Sequence, residues 1–424
     1  MTTLNDVCVA IVDCEHKTAP KAPKGYPSVR TTDIKNGRID FEGANRVSED
    51  TYQSWTKRRR PVPGDLILAR EAPVGEVGLI PEGVFPVLGQ RTVLLSPDRD
   101  RVVPRYLHYL LLSPVLQHEI EIRSAGSTVH HLNMKDIREL RLPQLPDLTI
   151  QSAIAATLGA LDDKIEVNRR MAATLEEMAR ALYRSWFVDF DPVTARAQGR
   201  APAHMDPATA ALFPARLTDA GLPEGWEMGT LADIAHLTPE KWSKKNAPVA
   251  VEYVDLANTK WGVIETTTPY MWEDCPSRAR LILRPGDTIV GTVRPGNGSF
   301  AIVGRDGLTG STGFAVLRPK VNEARELVYL AATEPANIER LANLADGGAY
   351  PAVRPEVVMS SPIALCDGSL LRAFHAEVAP LIDRIETSKV ENRTLAALRD
   401  ALLPKLMSGE LRVREAEAQV AEAV

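Results

Sequence analysis

The chain has 424 residues, of which 44% are hydrophobic and 25% are charged, and its formal net charge is −5. This length predicts two or more folded units, and the composition is that of a globular protein. No apolar run is long enough to span a bilayer, and the first residues lack a basic start followed by an apolar core. We therefore expect neither a membrane span nor a secretory signal, but a cytoplasmic protein.

The charge and the cysteines point to no particular ligand. A negative net charge does not favour nucleic acid, although the first 145 residues carry slightly more Lys and Arg than Asp and Glu. The four cysteines form no CxxC pair, so we expect reduced thiols and no metal site. Glu15-His16-Lys17 has the Glu-x-Lys form of many nucleases, but its few acidic neighbours argue against a metal site there.

An internal repeat with a period near 220 residues is the most informative feature. PVPGDLILAREAPVGEVGLI (61–80) aligns with LRPGDTIVGTVRPGNGSFAIV (283–303), and AGSTVHHLNMKDIRELRLP (125–143) matches DGGAYPAVRPEVVMSSPIA (346–364) in outline. Asp163-Lys164-Ile165-Glu166 aligns with Asp383-Arg384-Ile385-Glu386. A repeat of this length indicates two copies of a domain, because solenoid repeats are far shorter.

Each copy consists of short β-like runs with Gly/Pro turns, followed by one long helix. The first helix has an unbroken 4-3 apolar spacing in which Asn168 is the one clearly polar member, a pattern typical of a coiled coil. Over 151–186 it would measure ~54 Å at 1.5 Å per residue. Ser388, Asn392 and Arg399 interrupt the same spacing in the second helix, and Pro404 should kink or end it. The alternative is that each helix packs only on its own domain.

The sequence lacks the machinery of an enzyme that acts on nucleic acid. It has no GxxxxGK[ST] phosphate loop, no GxGxxG cofactor loop and no Asn/Asp-Pro-Pro-aromatic motif of amino-methyltransferases. No Ser/His/Asp or Cys/His constellation can be argued from spacing. We therefore expect no catalytic residues, no metal and no cofactor in this chain.

Several segments resemble the specificity subunit of type I restriction–modification systems. They are GYPSVRTTDIKNGRI (25–39), IAATLGALDDKIEVNRRMAATLEEMARALYRSWFVDFDPV (154–193), LPEGWEMGTLADI (222–234), LRDALLPKLMSGEL (398–411) and the two PGD segments. The resemblance covers nearly the whole chain. It implies an α+β fold with two tandem mixed α/β target-recognition domains, each followed by a long helix, the two helices pairing as an antiparallel coiled coil.

The resemblance also implies a division of the chain and a set of partners. Each recognition domain would read one half of a bipartite, asymmetric site in double-stranded DNA, and the helices would set the spacer. Two methyltransferase subunits and two restriction subunits would bind S-adenosylmethionine, ATP and Mg²⁺. The expected segments are 1–147 and 223–367 for the recognition domains, 148–190 and 368–408 for the helices, 191–222 for a surface linker and 409–424 for an acidic tail.

The candidate DNA contacts are cations and short polar side chains in loops, where a structural salt bridge, a solvated loop or a turn-forming role is the alternative for each. In the first copy they are Lys57, Arg58, Arg59, Arg60, Arg70, His130 and Asn133. In the second copy they are Lys241, Lys244, Lys245, Arg294, Asn297, Ser299, Tyr350 and Arg354. The residues assigned to helix packing are Leu161, Ile165, Asn168, Leu175, Leu381, Ile385 and Leu395.

Two other functions remain open from the sequence. One is a single-chain modification or restriction enzyme whose motifs have drifted, and the missing motifs argue against it. The other is an adaptor that joins proteins through the coiled coil and never touches DNA. The net charge favours the adaptor, whereas the repeat and the resemblance argue against it.

Overall fold

The structure is a computed structural model that describes residues 2–124, 130–238 and 240–423. The first five residues of the repeat segment 125–143 lie outside the described residues. The strands are β1 Cys8–Asp13, β2 Tyr26–Val29, β3 Ile34–Lys35, β4 Arg38–Ile39, β5 Asn45–Val47, β6 Leu66–Arg70, β7 Val74–Leu79, β8 Val87–Leu88, β9 Thr92–Pro97, β10 Glu227–Thr230, β11 Ala235–Leu237, β12 Ala250–Val254, β13 Thr259–Lys260, β14 Val263–Ile264, β15 Thr268–Met271, β16 Ala279–Ile282, β17 Thr288–Gly291, β18 Phe300–Ile302, β19 Leu308–Ser311, β20 Phe314–Pro319 and β21 Pro362–Leu365. The α-helices are α1 Glu49–Trp55, α2 Pro104–Leu112, α3 Pro114–Ser124, α4 Met134–Arg138, α5 Leu148–Phe187, α6 Asp191–Ala197, α7 Pro207–Leu212, α8 Leu231–Ile234, α9 Arg325–Ala332, α10 Pro335–Asn343, α11 Pro355–Met359, α12 Gly368–Ser408 and α13 Val413–Ala421.

The chain divides into two compact units. The first unit comprises Met1–Asn168 and Glu391–Val424, and the second comprises Arg169–Val390. Each unit therefore contains one copy of the repeat, together with one part of α5 and one part of α12. None of the helices in the described part of the chain combines the length and the apolar character that crossing a bilayer requires.

The two units have the same sheet topology. The first unit has an antiparallel sheet in the order β1-β9-β6-β7, and the second has the order β11-β20-β17-β18. In the other sheet of the first unit, β2 pairs with β5 antiparallel and with β8 parallel, just as β12 pairs with β15 and β19 in the second. The predicted mixed α/β fold with two tandem domains is confirmed. Among the described residues, the second unit has three further strands: β16, which pairs with β19, and the antiparallel pair β10 and β21.

The PGD segments form the same turn in both units. Gly64 has φ +90° and Gly286 has φ +88°, a backbone region that disfavours any side chain. The following aspartate closes each turn, because Asp65 accepts a hydrogen bond from the N–H of Val62 at 3.1 Å and Asp287 accepts one from the N–H of Arg284 at 2.9 Å. The turn places the next residues in β6 and β17, the central strands of the two antiparallel sheets.

In the first unit, α5 and α12 pack antiparallel in one core. Asp162 bonds Arg399 at 2.7 Å and Asn168 bonds Asn392 at 3.0 Å, so that residue numbers fall along one helix as they rise along the other. The helix residues that are buried in this core include Leu158, Leu161, Ile165, Leu395, Leu402 and Leu406. The same core includes Tyr106 and Leu107 of α2, so the helices pack on each other and on their own domain.

In the second unit, the remaining parts of the two helices also pack antiparallel. Trp186 and Phe187 contact Phe374 through their rings at 5.5 and 4.9 Å. Ile385 is buried, and Leu175 and Leu381 are partly buried against the same core. The predicted antiparallel helix pair is therefore present within each unit.

An arginine bonds the repeated aspartate of the long helix in both units. Arg105 of α2 pairs with Asp163 of α5 at 2.6 Å, and Arg325 of α9 pairs with Asp383 of α12 at 2.7 Å. Because Asp163 and Asp383 are equivalent in the sequence repeat, the domain contacts its own helix at the same position in each copy.

Three segments differ from the expectations. The 191–222 segment is not only a surface connector, because it contains α6 and α7 and buries Val193 and Phe213 in the core of the second unit. The acidic tail forms α13, whose apolar face is buried in the first unit. Pro404 does not end α12, which continues to Ser408; the buried side chains of Leu402 and Leu406 hold this last part of the helix against the core.

Candidate nucleic-acid interface

In the second unit, two loops meet around Arg294. Its backbone N–H donates to the carbonyl of Pro351 at 2.7 Å, and its guanidinium donates to the carbonyl of Ala349 at 2.6 Å. The guanidinium also stacks over the exposed ring of Tyr350, 4.6 Å from the ring centroid, which is a favourable cation–π geometry. The structure therefore brings together Arg294 and Tyr350, two of the residues singled out in the sequence, and leaves both exposed.

The turn that follows Arg294 contains two further candidates with different surroundings. Asn297 is exposed, and its N–H donates to the carbonyl of Arg294 at 2.9 Å. Ser299 is buried, and its hydroxyl donates to the carbonyl of Leu256 at 2.8 Å. Asn297 presents its side chain at the surface beside Arg294, whereas Ser299 supports the turn from below.

A third loop of this surface was not identified from the sequence. The turn of the β13–β14 hairpin consists of Trp261 and Gly262, and the Trp261 side chain is 63% exposed. The backbone N–H of Trp261 donates to the carbonyl of Gly298 at 2.7 Å, and the indole packs on the Cα side of Gly298. The Lys-Trp-Gly segment between two short β-runs matches Lys-Asn-Gly of the first copy, and this hairpin signal could have revealed it.

Three candidate lysines of the second unit lie on a separate exposed loop. Lys241, Lys244 and Lys245 are exposed, and Lys241 forms an isolated bridge with Leu281 of β16. Between them, Trp242 is anchored because its indole N–H donates to the hydroxyl of Thr309 at 2.9 Å. This anchor fixes the base of the loop, and the ammonium groups remain at the surface.

In the first unit, three of the four consecutive cations have partners within the chain. Arg58 pairs with Glu15 at 2.7 Å, Arg59 donates to the hydroxyl of Ser96 at 2.8 Å, and Arg60 donates to the side-chain carbonyl of Gln53 at 2.7 Å. Lys57 is exposed, and no bond within the described residues engages its ammonium group. Lys57 is therefore the cation of this group that is most available to a phosphate.

Arg70 belongs to an ion-pair network at the end of β6. It pairs with Asp13 at 2.8 Å, and both side chains are largely buried. Asp13 also contacts His16 Nε2 at 3.0 Å. The Asp13 carboxylate, the Cys14 thiol and the His16 imidazole lie within 4.8 Å of one another, a grouping that can hold a metal ion. The Arg70 guanidinium already balances the charge of Asp13, so the network is explained as an ion pair.

Two candidates occupy helix N-termini. Asn133 is the residue before α4, and its side-chain oxygen accepts hydrogen bonds from the N–H groups of Lys135 and Asp136 at 3.0 Å. Arg354 occupies the equivalent position before α11 and is exposed. Asn133 therefore acts as a helix cap, while the neighbouring His130 is exposed.

Backbone hydrogen bonds define which residues are equivalent in the turns that follow β6 and β17. The carbonyl of Arg70 accepts a hydrogen bond from the N–H of Leu132 at 2.9 Å. In the same way, the carbonyl of Thr292 accepts one from the N–H of Val353 at 2.9 Å. Arg70 therefore corresponds to Thr292, and the counterpart of Arg294 is Ala72. Ala72 and Arg294 both have a positive φ, +45° and +48°. The two arginines flank the same turn but project from different positions in it.

Neutral His108 stabilises the hairpin turn of the first unit. Its Nε2 lies 2.8 Å from the carbonyl oxygen of Gly37 in the β3–β4 turn. Burial lowers the pKa of His108 to about 4, although the nearby Asp162 carboxylate acts in the opposite direction. In the second unit, Lys389 Nζ donates to the equivalent carbonyl of Gly262 at 2.8 Å. A side chain thus anchors the same carbonyl in both hairpins.

Comparison with known proteins agrees with this architecture. Residues 1–177 match the model of the type I restriction modification DNA specificity domain. The chain is 24% identical to the type I restriction enzyme HindI specificity subunit of Haemophilus influenzae, over 77% of this chain and 81% of that protein. It is 25% identical to the MjaIX specificity subunit of Methanocaldococcus jannaschii, over 92% of this chain and 87% of that protein.

A solved structure has the same fold over nearly the full length. The crystal structure of the type I restriction–modification S subunit from M. genitalium aligns with a TM-score of 0.56 at 17% identity, over 96% of this chain and 95% of that chain. The duplicated fold and the matched domain define a DNA-specificity protein. Residues 1–177 belong to the family of type I restriction modification DNA specificity domains, and the whole chain is similar to type I specificity subunits.

Proposed function

We propose that this chain directs type I methyltransferase and restriction subunits to a bipartite, asymmetric site in double-stranded DNA. Each unit reads one half-site, and the two long helices set the unread spacer between the halves. The chain itself is not an enzyme. Two methyltransferase subunits and two restriction subunits bind S-adenosylmethionine, ATP and Mg²⁺ in this proposal.

One observation carries the proposal: the two units have the same strand order but different side chains in the equivalent loops. A common scaffold suits two similar positions on a duplex, because successive half-sites present the same backbone geometry. Different loops suit two different base sequences, because bases are read by side chains in the grooves. An asymmetric target follows from these two features together.

The loops with exposed cations and polar side chains are the proposed DNA surfaces. Lys57 in the first unit and Lys241, Lys244 and Lys245 in the second unit supply phosphate contacts, which fix position without reading sequence. Arg294 and Asn297 read base edges in the second half-site. Arg70 and Asn133 support the loops of the first unit through their bonds to Asp13 and to the start of α4.

Methylation mapping tests the proposal. DNA from cells that carry the gene is compared with DNA from cells with an in-frame deletion, by long-read detection of N6-methyladenine. We expect the deletion to remove one split, asymmetric motif. An unchanged methylome in cells that express the methyltransferase partner would contradict the proposal and favour a protein adaptor. Methyl transfer by the purified chain alone would instead identify an enzyme.

A further inference from the structure

We infer that Trp261 contacts DNA directly, as an apolar wedge against the bases of the half-site that the second unit reads. Arg294, from the adjoining turn, contacts the same half-site. This inference rests on the proposed function, because it assumes that the second unit binds one half-site. It adds an aromatic residue outside the predicted contacts to the residues that read this half-site.

The backbone of Trp261 is the first observation. Trp261 has φ +45° and Gly262 has φ +85°, as the two-residue turn of this hairpin requires. A bulky side chain in this region is a genuine outlier, and such strain persists where the surrounding structure enforces it. Strained residues of this kind cluster at functional sites.

The equivalent turn in the first copy of the repeat has no bulky side chain. The β3–β4 hairpin has an identical two-residue turn formed by Asn36 and Gly37, with φ of +52° and +78°. Asn tolerates this region well, because its short polar side chain bonds locally. The second copy therefore has a residue that disfavours the turn, at a position where the first copy has one that suits it.

Arg294 repeats this relationship in the adjoining turn. Its φ is +48°, and the equivalent residue of the first copy is Ala72. Trp261 and Arg294 thus each have a larger side chain than the equivalent residue of the first unit, Asn36 or Ala72. Two such substitutions on one surface are explained by a contact that only the second unit makes.

The indole is held in a fixed orientation rather than free in solvent. It packs on Gly298, where an added Cβ would come within 2.6 Å of the ring, and it meets the Phe300 ring edge-on at 5.7 Å. The N–H of Gly262 donates to the carbonyl of Phe300 at 2.9 Å. A rigid exposed aromatic loses little conformational entropy on binding, which suits a recognition residue.

The surroundings of Trp261 favour DNA over a protein partner. Its ring lies on the turn that displays Arg294 and Asn297, and Lys260 precedes it in the hairpin. Cations that neutralise phosphates beside an apolar side chain that presses on a base step are a recurrent means of reading DNA by its deformability. Lys260 is positioned by its contact with Ser299 Oγ at 3.3 Å.

The test replaces each residue by the one that the first copy uses. W261N and R294A are compared with wild type in the assembled methyltransferase complex, using duplexes in which either half-site is scrambled. We expect W261N to fold at least as stably as wild type and to bind the intact target about tenfold or more weakly. Both variants should relax the same half of the methylated motif. W261F should retain most of the wild-type affinity.

A second tryptophan provides a matched control. Trp272 stacks with Arg280 at 4.5 Å in the same unit but lies outside the three loops, so W272A should leave affinity and motif unchanged.

Three outcomes would contradict the inference or the proposed function. If W261N has wild-type affinity and an unchanged motif, and the wild-type complex reads a split site, the inference is refuted and the proposed function stands. If W261N assembles more weakly with the methyltransferase but keeps the motif, the inference is refuted and Trp261 contacts a protein partner. A wild-type complex without sequence preference would refute the proposed function itself.

Discussion

Asn168 Nδ2 donates a hydrogen bond to Asn392 Oδ1 at 3.0 Å, in the seam between α5 and α12 of the first unit. Asn168 is 1% exposed, and apolar side chains flank it along the helix. A buried amide that finds a hydrogen-bond partner at only one position of the facing helix favours one register of the helix pair over the alternative registers. Asn168 and Asn392, which each interrupt the apolar spacing of their helix, therefore satisfy each other.

Removing one amide should destabilise the first unit, whereas removing both should not. We expect N168A to lower the free energy of unfolding by about 1–3 kcal/mol, because the Asn392 amide loses its partner. N168L/N392L should recover this loss, since no polar group is then buried unpaired. Chemical denaturation of wild type, N168A, N392A and N168A/N392A measures the coupling between the two amides, and that of N168L/N392L measures the recovery. Additive effects of the two single changes would show that the bond does not couple the helices.

Acid should weaken the first unit through His108. The pKa of this histidine is lowered to about 4, chiefly by burial, from its ordinary value of 6.5. The unfolded chain therefore binds a proton at a higher pH than the folded chain does. The resulting stability is complete above pH 6.5 and is lost as the pH falls towards 4, by up to about 3 kcal/mol.

Denaturant titrations between pH 4.5 and 7.5 measure this loss. H108Q retains a donor for the Gly37 carbonyl but does not titrate, so its stability should fall less over the same range. H118Q is the matched control, because it changes another histidine of the same unit. If wild type and H108Q have parallel pH profiles, another group is responsible for the acid sensitivity.

The duplication and the helix pair could be predicted from the sequence. Both depend on patterns that extend over many residues and do not depend on any one of them. The 4-3 spacing encodes a buried stripe whatever the partner, and Asn168 stood out because it interrupts that stripe. The partner of Asn168 could not be predicted, since it lies 224 positions away along the chain. The bond between Asp162 and Arg399 could not be predicted for the same reason, because the two residues are far apart along the chain.

The loop residues were harder to assign, because a loop side chain takes its role from bonds that the sequence does not record. Arg70 looks like a DNA contact in the sequence but pairs with Asp13 in the fold. Trp261 looks like an ordinary apolar residue, yet the hairpin turn exposes it. Pro404 looks like a helix end, but tertiary packing around Leu406 continues the helix to Ser408.

A charge in the helix seam should impair assembly without changing the target. Leu161 is fully buried in the core of the first unit, so L161D should cost at least about 3 kcal/mol of stability. Val167 on the same helix is 60% exposed, and V167D should change stability by no more than about 0.5 kcal/mol. Thermal unfolding and methylation of the target by the assembled complex measure the two effects. Methylation at the wild-type level by L161D would contradict the packing assignment.

Lys57 should contribute a phosphate contact that depends on salt. Its side chain is exposed and lies beside Arg58, which is paired with Glu15 at 2.7 Å. Each phosphate contact releases counterions, so K57A should reduce the slope of log affinity against log salt concentration by about 0.9. Stability should change by less than about 0.5 kcal/mol, because no bond within the described residues is lost. K57R keeps the charge and should keep the slope, and the affinity of K57A should fall equally for cognate and scrambled duplexes. An unchanged slope for K57A would assign this lysine to a solvated loop.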